Sequence, residues 1–300
     1  MNTGSVYLSM NQDDLEQLAK KLNSKYHKCD LCPRKCGVNR MSGEQGFCRI
    51  SSRPKVSSVG PHFGEEPPLV GRRGSGTIFF AGCNLGCVFC QNDDISHGIT
   101  GRDCGAEELA SFMLHLQELG CHNVNFVTPT HVVPTIVEAL HIAVRQGFNL
   151  PLVYNCGGYE SVDVIRLLEG VVDIYMPDLK FTDPAVSARL TGVHDYYERA
   201  QETLREMHRQ VGDLKEDERG VAFRGLLVRH LVMPDSLAGT GEVMRFLLED
   251  ISPDTAVNVM FQYRPCYQAR TFPEIARRPN PDECKEALMT AQSYGLRILD

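Results

Sequence analysis

Short runs of apolar residues recur after residue 75, and each is long enough to form one buried strand. They cover residues 76–82, 124–128, 150–155, 171–176, 225–233 and 256–263. Runs without alternating polar positions are typical of strands that are buried on both faces of a parallel sheet. Apolar residues at helical spacing lie between the runs, as in Leu109, Met113 and Leu116. This alternation predicts an α/β fold whose parallel strands are joined by right-handed helical crossovers.

The number of β/α units limits which architectures are possible. Six β/α units within residues 76–300 predict a partial (β/α)6 TIM-type barrel, smaller than the full eightfold barrel. An open doubly wound sheet has the same alternation, so the periodicity leaves both architectures open. In either one, functional side chains belong at the carboxyl ends of the strands. We therefore predict a catalytic core over residues 76–300.

The first 75 residues have a different pattern. Apolar positions from Leu15 to Leu22 predict one amphipathic helix over residues 12–23. Residues 24–75 are rich in Gly, Pro, Arg and Cys and are predicted to be loop-like. A segment with so few core residues needs another source of stability, and a bound metal can supply it. We therefore predict that residues 1–75 form an N-terminal helix and a Cys-rich, metal-binding extension.

Composition restricts the classes of function. The chain has 42% hydrophobic and 23% charged residues and a net charge of −7, as is typical of a soluble globular protein. This acidic balance argues against a broad binding surface for nucleic acid or anionic membrane. No apolar run approaches the ~20 residues that a membrane-spanning helix needs. The amino-terminal sequence lacks the basic and apolar segments of a signal peptide, so we expect a cytoplasmic protein.

The distribution of the cysteines is the first functional signal. The chain has 12 cysteines, and in a cytoplasmic protein these are metal ligands or small buried side chains rather than disulfides. Five are scattered: Cys104, Cys121, Cys156, Cys266 and Cys284. The other seven fall into two groups: Cys29, Cys32, Cys36 and Cys48, and then Cys83, Cys87 and Cys90.

The group Cys83, Cys87 and Cys90 directly follows the first predicted strand, in the sequence GCNLGCVFCQN. Three thiolates at this spacing can converge on one iron–sulfur cluster, and such clusters usually have four cysteine ligands. One iron of a [4Fe–4S] cluster would then remain open to an exchangeable ligand. A zinc knuckle completed by a remote ligand and three unrelated buried cysteines are the alternatives. The position at the end of a strand argues against both.

The group Cys29, Cys32, Cys36 and Cys48 provides four thiolates within the predicted extension. Four cysteines suit tetrahedral zinc or a second iron–sulfur cluster. The spacing differs from the two paired knuckles of a zinc ribbon, because the middle gap is short. A closed structural metal site is the favoured interpretation, and a second cluster is the alternative.

The segment CNLGCVFC resembles the CxxxCxΦC motif of the radical S-adenosylmethionine (SAM) enzymes, with Phe89 at the aromatic position. The chain is similar to the group of pyruvate formate-lyase-activating enzyme and, within it, to the PflX-like branch. The resemblance extends from CDLCPRKC through EEPPLVGRRGSGTIFF to QYRP. It implies that SAM binds the open iron and that one electron from the reduced cluster breaks the C5′–S bond. The products are methionine and a 5′-deoxyadenosyl radical that abstracts a substrate hydrogen.

The resemblance also implies which residues contact SAM at the ends of the second and third strands. The family has a GGEP-type motif where this chain has Thr128 and Thr130, whose oxygens we expect to replace those contacts. Phe89 is expected beside the cofactor. Asn155 stands in a DTNG-like turn, where the family has the first of two acidic residues that hold a monovalent cation.

Three further SAM contacts are implied at the later strands. Asp178 matches the second acidic residue of the cation site, and Lys180 follows it as either a SAM contact or a partner of Asp178. Arg229 matches an arginine that pairs with the SAM carboxylate, a role that suits a guanidinium. Residues 262–265 are expected to wall the ribose or the substrate. His131 and His230 lie near strand ends and are interpreted as structural residues.

Three functions follow from these expectations. In the first, the chain is an activase that takes a hydrogen from a glycine of a partner, a glycyl radical enzyme. In the second, it is a radical SAM enzyme that modifies a small molecule, a peptide or RNA. In the third, it is a non-enzymatic iron–sulfur or zinc protein. Reduced flavodoxin or ferredoxin is the electron donor that the resemblance implies.

Overall fold

A computed structural model describes residues 4–299, and the predicted domains 1–75 and 76–300 extend beyond these residues at their outer ends. The strands are β1 (Lys55–His62), β2 (Ser75–Phe80), β3 (Arg102–Asp103), β4 (Val124–Val127), β5 (Leu152–Cys156), β6 (Ile174–Pro177), β7 (Lys215–Glu216), β8 (Ala222–Leu231), β9 (Ala256–Met260) and β10 (Arg297–Ile298). The helices are α1 (Gln12–Ser24), α2 (Pro67–Val70), α3 (Asp93–Ser96), α4 (Ala106–Glu118), α5 (Val133–Val144), α6 (Val162–Leu167), α7 (Pro184–Thr191), α8 (Tyr196–Val211), α9 (Thr240–Phe246) and α10 (Pro281–Ser293).

The fold is α/β with a parallel-rich sheet, as predicted. Strands β2, β4, β5, β6, β8 and β9 are neighbours in chain order, and each adjacent pair is parallel. A doubly wound sheet reverses its strand order at a switch point, and this sheet does not. All six strands therefore end at one rim, where residues from distant parts of the sequence come together.

The segment predicted to be loop-like, residues 24–75, contains strand β1, so that prediction was wrong over Lys55–His62. This strand pairs antiparallel with β2 and extends the sheet at its edge. Its residues are mostly partly or fully exposed, and Val56 is buried. The charged segment 212–220 includes the short strand β7, which pairs antiparallel with β8.

The two faces of the sheet differ. The outer face packs on helices, and Phe126, Tyr154 and residues of α5 line one apolar space there. The inner face carries a separate apolar cluster that includes Val153, Met176 and Leu227, with Leu69 of α2 fully buried among them. The segment after β1 thus enters the concave side of the sheet. Within residues 4–299, none of the helices is sufficiently long and apolar to cross a bilayer.

A thiol loop and an ion-pair cluster at the carboxyl ends of the strands

The loop that follows β2 carries Cys83, Cys87 and Cys90. Cys87 is buried and the other two cysteines are partly exposed. The sulfur of Cys83 accepts a hydrogen bond from the Leu85 N–H over 3.4 Å, and that of Cys90 lies 3.1 Å from the Ser96 hydroxyl. Burial raises the pKa of the Cys83 thiol to about 12. All three are free thiols.

This loop suits a thiolate-bound cluster by its chemistry. No three Cys, His, Asp or Glu side chains within residues 4–299 are already positioned as ligands of one metal ion, so binding requires the thiols to rotate towards each other. Their charges would interact, because Cys90 raises the pKa of Cys83, and both of these thiols raise the pKa of Cys87. A bound cation would stabilise the thiolates that burial disfavours.

Asp178, Arg229 and Lys180 form a buried ion-pair cluster at the same rim. Arg229 donates from Nε to Oδ1 of Asp178 over 2.7 Å and from Nη2 to Oδ1 of Asn155 over 2.6 Å. Lys180 donates to Oδ2 of Asp178. Four residues that were predicted as SAM contacts are therefore joined in one network. Asn155 lies on β5, Asp178 and Lys180 follow β6, and Arg229 lies on β8.

The charges in this network hold one another ionised. Burial alone would raise the pKa of Asp178, but Arg229 and Lys180 hold it below its usual range. Burial would likewise lower the pKa of Lys180, and Asp178 keeps it raised. Both oxygens of Asp178 already have cationic partners, and the monovalent cation considered from the sequence stays a prediction.

The ion-pair cluster lies next to the thiol loop. The Lys180 ammonium lowers the thiol pKa of both Cys83 and Cys87, against the larger effect of burial. A methyl group added to Gly157, at the end of β5, would lie 2.9 Å from Leu85 of the loop and 3.8 Å from the Lys180 side chain. The positive ammonium is thus placed where it stabilises negative thiolates.

Thr128 lies next to Asn155, whose carbonyl accepts from its N–H over 2.8 Å, whereas Thr130 and Phe89 have other partners. Thr128 has a φ of +60°, which is unfavourable for a β-branched residue and often marks a functional site. The Thr130 hydroxyl donates to the carboxylate of Glu160 over 2.6 Å. Phe89 is 6% exposed and packs edge-on against Phe181. The Thr130 hydroxyl and the Phe89 ring therefore make contacts within the protein interior.

Glu160 was not predicted from the sequence. It is 1% exposed and accepts hydrogen bonds from Thr130 and from the Tyr154 hydroxyl, the latter over 2.9 Å. Burial raises its pKa to about 7. Its charge acts on both Cys32 and Cys83, so this carboxyl lies between the two cysteine groups.

The four cysteines of the extension line one cavity. Cys29, Cys32, Cys36 and Cys48 surround it together with His131 and Arg40, among other residues. Arg40 is 1% exposed, and its guanidinium lies 3.9 Å from the Cys29 sulfur. It also donates to the His131 carbonyl over 2.6 Å. A buried cation close to these sulfurs favours their thiolate form.

His131 lies beside the four cysteines of the extension, a position that the sequence did not indicate. Its Nε2 lies 2.8 Å from the Ala81 carbonyl, and burial lowers its pKa to about 3. The imidazole is therefore neutral, and a proton on Nε2 leaves Nδ1 as an acceptor. Nδ1 is buried and has no hydrogen-bond partner, in a residue that lines the cavity of the four cysteines.

The remaining candidate residues are structural. The two ring nitrogens of His230 lie 2.8 Å from the Leu179 carbonyl and 3.0 Å from the Thr240 hydroxyl. Tyr263 is 1% exposed, and its hydroxyl donates to the Ile275 carbonyl. Of the expected wall 262–265, this tyrosine therefore belongs to the core.

Known proteins resemble this chain in sequence and in fold. Residues 77–215 match the family described as the Radical SAM superfamily. The protein named Uncharacterized protein MJ0674, from Methanocaldococcus jannaschii, is 35% identical over 304 residues, which cover 98% of this chain and 82% of the relative.

Two crystal structures of Streptococcus suis SuiB have a similar fold. One is bound to the precursor peptide SuiA (TM-score 0.51, 11% identity, 72% of this chain and 46% of that chain). The other is bound to S-adenosylmethionine (TM-score 0.50, 12% identity, 72% of this chain and 47% of that chain). The chain thus spans about half the length of these structures. The family match, the relative over nearly the whole chain and the thiol loop after β2 together show that this chain belongs to the radical SAM superfamily, which implies a [4Fe–4S] cluster and SAM as cofactors.

Proposed function

We propose that this chain reductively cleaves SAM at a [4Fe–4S] cluster held by Cys83, Cys87 and Cys90. The observation that carries the proposal is the position of these thiols at the carboxyl end of β2, next to Lys180 and the Asp178–Arg229 pair. When bound and reduced, the cluster supplies the electron that divides SAM into methionine and a 5′-deoxyadenosyl radical.

The side chains have separable roles in this proposal. The three cysteines hold the cluster and leave one iron open for SAM. Arg229 presents a guanidinium to the SAM carboxylate, and Asn155 and Asp178 orient that guanidinium through their hydrogen bonds. Lys180 stabilises the negative charge of the thiolates. Thr128 offers its hydroxyl and carbonyl oxygens to the SAM amino group.

The test is the formation of methionine and 5′-deoxyadenosine in equal amounts by anaerobically reconstituted protein with SAM and dithionite. The wild type is expected to form both products, and Cys87→Ala to form neither. Cys284→Ala is the matched control, because Cys284 lies on α10 outside both cysteine groups. Absence of both products from the reconstituted wild type would reject the proposal.

A second metal centre at Cys29, Cys32, Cys36 and Cys48 is also proposed. It is supported by the shared cavity, by the Arg40 cation beside Cys29 and by the unpartnered nitrogen of His131. Four thiolates suit closed tetrahedral zinc, and the same set suits a second iron–sulfur cluster. Metal analysis of a Cys83/Cys87/Cys90→Ala triple variant decides between them. Zinc or iron should persist there and disappear when Cys32→Ala is added; a metal-free triple variant would contradict the site.

The electron donor is proposed to be reduced flavodoxin or ferredoxin. Residues 25–54 contain seven Lys and Arg against two Asp and Glu, in a chain whose net charge is −7. Such a basic region beside the thiol loop would attract an acidic donor protein at low ionic strength. Reduction by flavodoxin should therefore slow as salt is added, and Lys35→Glu should slow it further.

We propose that the 5′-deoxyadenosyl radical abstracts hydrogen from a small molecule rather than from a glycine of a partner protein. An activase needs an open groove for a peptide loop. Here Leu69 fills the concave side deeper in the sheet, and the space left at the carboxyl rim suits a small molecule. The activase alternative is tested by mixing the enzyme with a candidate glycyl radical enzyme. A glycyl radical doublet in its electron paramagnetic resonance (EPR) spectrum would favour the activase.

A further inference from the structure

The concave side of the sheet opens at its carboxyl rim. Residues at alternate positions there are partly exposed, including Phe79, Val127, Leu231 and Met260. Deeper in the same space, the Arg229 side chain is 18% and the Glu65 side chain 8% exposed. The rim therefore has apolar walls above a charged floor, which is the usual composition of a small-molecule site.

Two adjacent carboxylates reach this floor from the segment after β1. Glu66 begins α2 as its N-cap residue, and its Oε1 accepts a hydrogen bond from Asn258 Nδ2 of β9 over 3.0 Å. Oε2 of Glu65 lies 3.9 Å from Nη1 of Arg229 on β8. The segment that carries these carboxylates begins at β1, near one edge of the sheet, and the carboxylates approach β8 and β9 near the other edge.

Several polar atoms at this floor have no partner. Oε2 of Glu66 and both amide atoms of Asn125 are buried and form no hydrogen bond. Asn125 is 0% and Glu66 5% exposed. Burial raises the pKa of Glu65, and the charge of Arg229 and the nearby Asn125 amide oppose that effect, although Asn125 forms no hydrogen bond of normal geometry. Buried polar groups are normally paired, so this concentration of unpaired atoms indicates a missing ligand.

The charges identify the class of ligand. Glu65 and Glu66 both act on Arg229 of the ion-pair cluster, so three carboxylates, with Asp178, face two cations, Arg229 and Lys180. Besides the thiols next to Lys180, His62 is a titratable group nearby, and its Nδ1 lies 3.5 Å from Glu65 at a half-exposed position. Buried carboxylates need cationic or hydrogen-bonding partners. A ligand with one positive charge and several N–H donors would complete the set.

We propose that this floor binds the substrate through a primary ammonium or guanidinium group, held by Glu65 and Glu66 with Asn125 as a further contact. Its description as substrate rests on the proposed SAM cleavage, whereas the binding itself does not. The apolar walls would contact the aliphatic part of the same molecule, which points towards the rim where the thiol loop lies.

The test measures binding by calorimetry to reconstituted protein with SAM present. The probes are n-butylammonium and n-butylguanidinium, and n-butanol is their neutral counterpart. At least one cationic probe should bind the wild type, and Glu66→Gln should weaken its affinity by roughly tenfold or more. Glu286→Gln, at an exposed position of α10, should bind as the wild type does. Equal binding of n-butanol, failure of both cations, or an unchanged affinity in Glu66→Gln would overturn the proposal.

Two further measurements distinguish cation binding from a SAM-binding or purely structural role of the same residues. SAM affinity should be nearly unchanged in Glu66→Gln; a loss as large as that of the cation would assign the carboxylates to the SAM site and overturn the proposal. Asn125→Leu removes unpaired polar atoms and should unfold no more easily than the wild type, yet lose cation affinity. This variant keeps the test valid if Glu66→Gln folds poorly. Because binding is measured without turnover, failure of SAM cleavage does not affect the result.

Discussion

The backbone carbonyl of Cys48 lies directly against Gly82, the residue that precedes the first cysteine of the thiol loop. A Cβ at Gly82 would come within 2.5 Å of that oxygen, and Gly82 has a φ of +82°. Nε of Arg34 also donates to the Asn84 carbonyl in the same loop. The two cysteine groups therefore belong to loops that pack on each other, and each loop supports the other's geometry.

Gly82→Ala is expected to destabilise the protein by at least about 2 kcal/mol. The left-handed conformation accounts for about 1–2 kcal/mol, and the backbone overlap with Cys48 adds to it. Gly43→Ala is the control, because Gly43 has a φ of +88° and no atom within 4 Å of an added Cβ. Chemical denaturation measures both variants. Equal losses of stability would show that the contact with Cys48 is unimportant.

Removal of the proposed second metal should loosen the extension without unfolding the parallel sheet. Residues 25–54 contain no α-helix or strand, so metal ligation would supply much of their order. In Cys32→Ala, hydrogen exchange should accelerate in this segment and remain slow in β4 and β5. Uniform acceleration, or none, would contradict a local structural role for the metal.

Asp178→Asn is expected to reduce stability by about 3–5 kcal/mol, because it leaves Lys180 buried without its negative partner and Arg229 with only the more distant Glu65. Glu169→Gln, which removes an exposed partner of Arg209, should change stability by less than about 1 kcal/mol. The depressed pKa means that Asp178 stabilises the fold at neutral pH, and this contribution is lost only as the pH falls below 3.8, its ordinary value. Comparable losses in both variants would contradict the importance of the buried pair.

The buried Asp173 should make stability fall as the pH rises. Burial raises its pKa from 3.8 to about 7, so the folded state retains a proton that the unfolded state has already released. Between about pH 5 and about pH 8, its contribution should therefore decrease by about 3 kcal/mol. The stability difference between the wild type and Asp173→Asn should shrink by that amount in urea titrations. A pH-independent difference would show that Asp173 is ionised in the folded protein.

The parallel strands could be predicted because burial on both faces leaves an uninterrupted apolar run. The antiparallel β1 could not, since Gly60 and Pro61 interrupt it and most of its side chains face solvent. Asp178, Arg229 and Asn155 were predicted from the resemblance to a known family, and the structure places them near the carboxyl ends of β5, β6 and β8.

Other parts of the site have no such signal. Adjacent charges such as Glu65 and Glu66 in a predicted loop indicate solvent exposure, and only the tertiary structure places them inside the sheet. His131 likewise acquires its cysteine neighbours from a segment 83 residues or more before it in the chain. Contacts between distant segments leave no local pattern in the sequence.

The central claim is that Cys83, Cys87 and Cys90 hold the cluster that cleaves SAM, and EPR spectroscopy of the reduced protein tests it most directly. The wild type and Cys284→Ala should give a [4Fe–4S]+ signal whose shape changes when SAM is added. Cys87→Ala should lack the SAM-dependent change, while any signal from a second cluster would remain and be insensitive to SAM. A SAM-dependent change that persists in Cys87→Ala, or is absent from the wild type, would contradict the account.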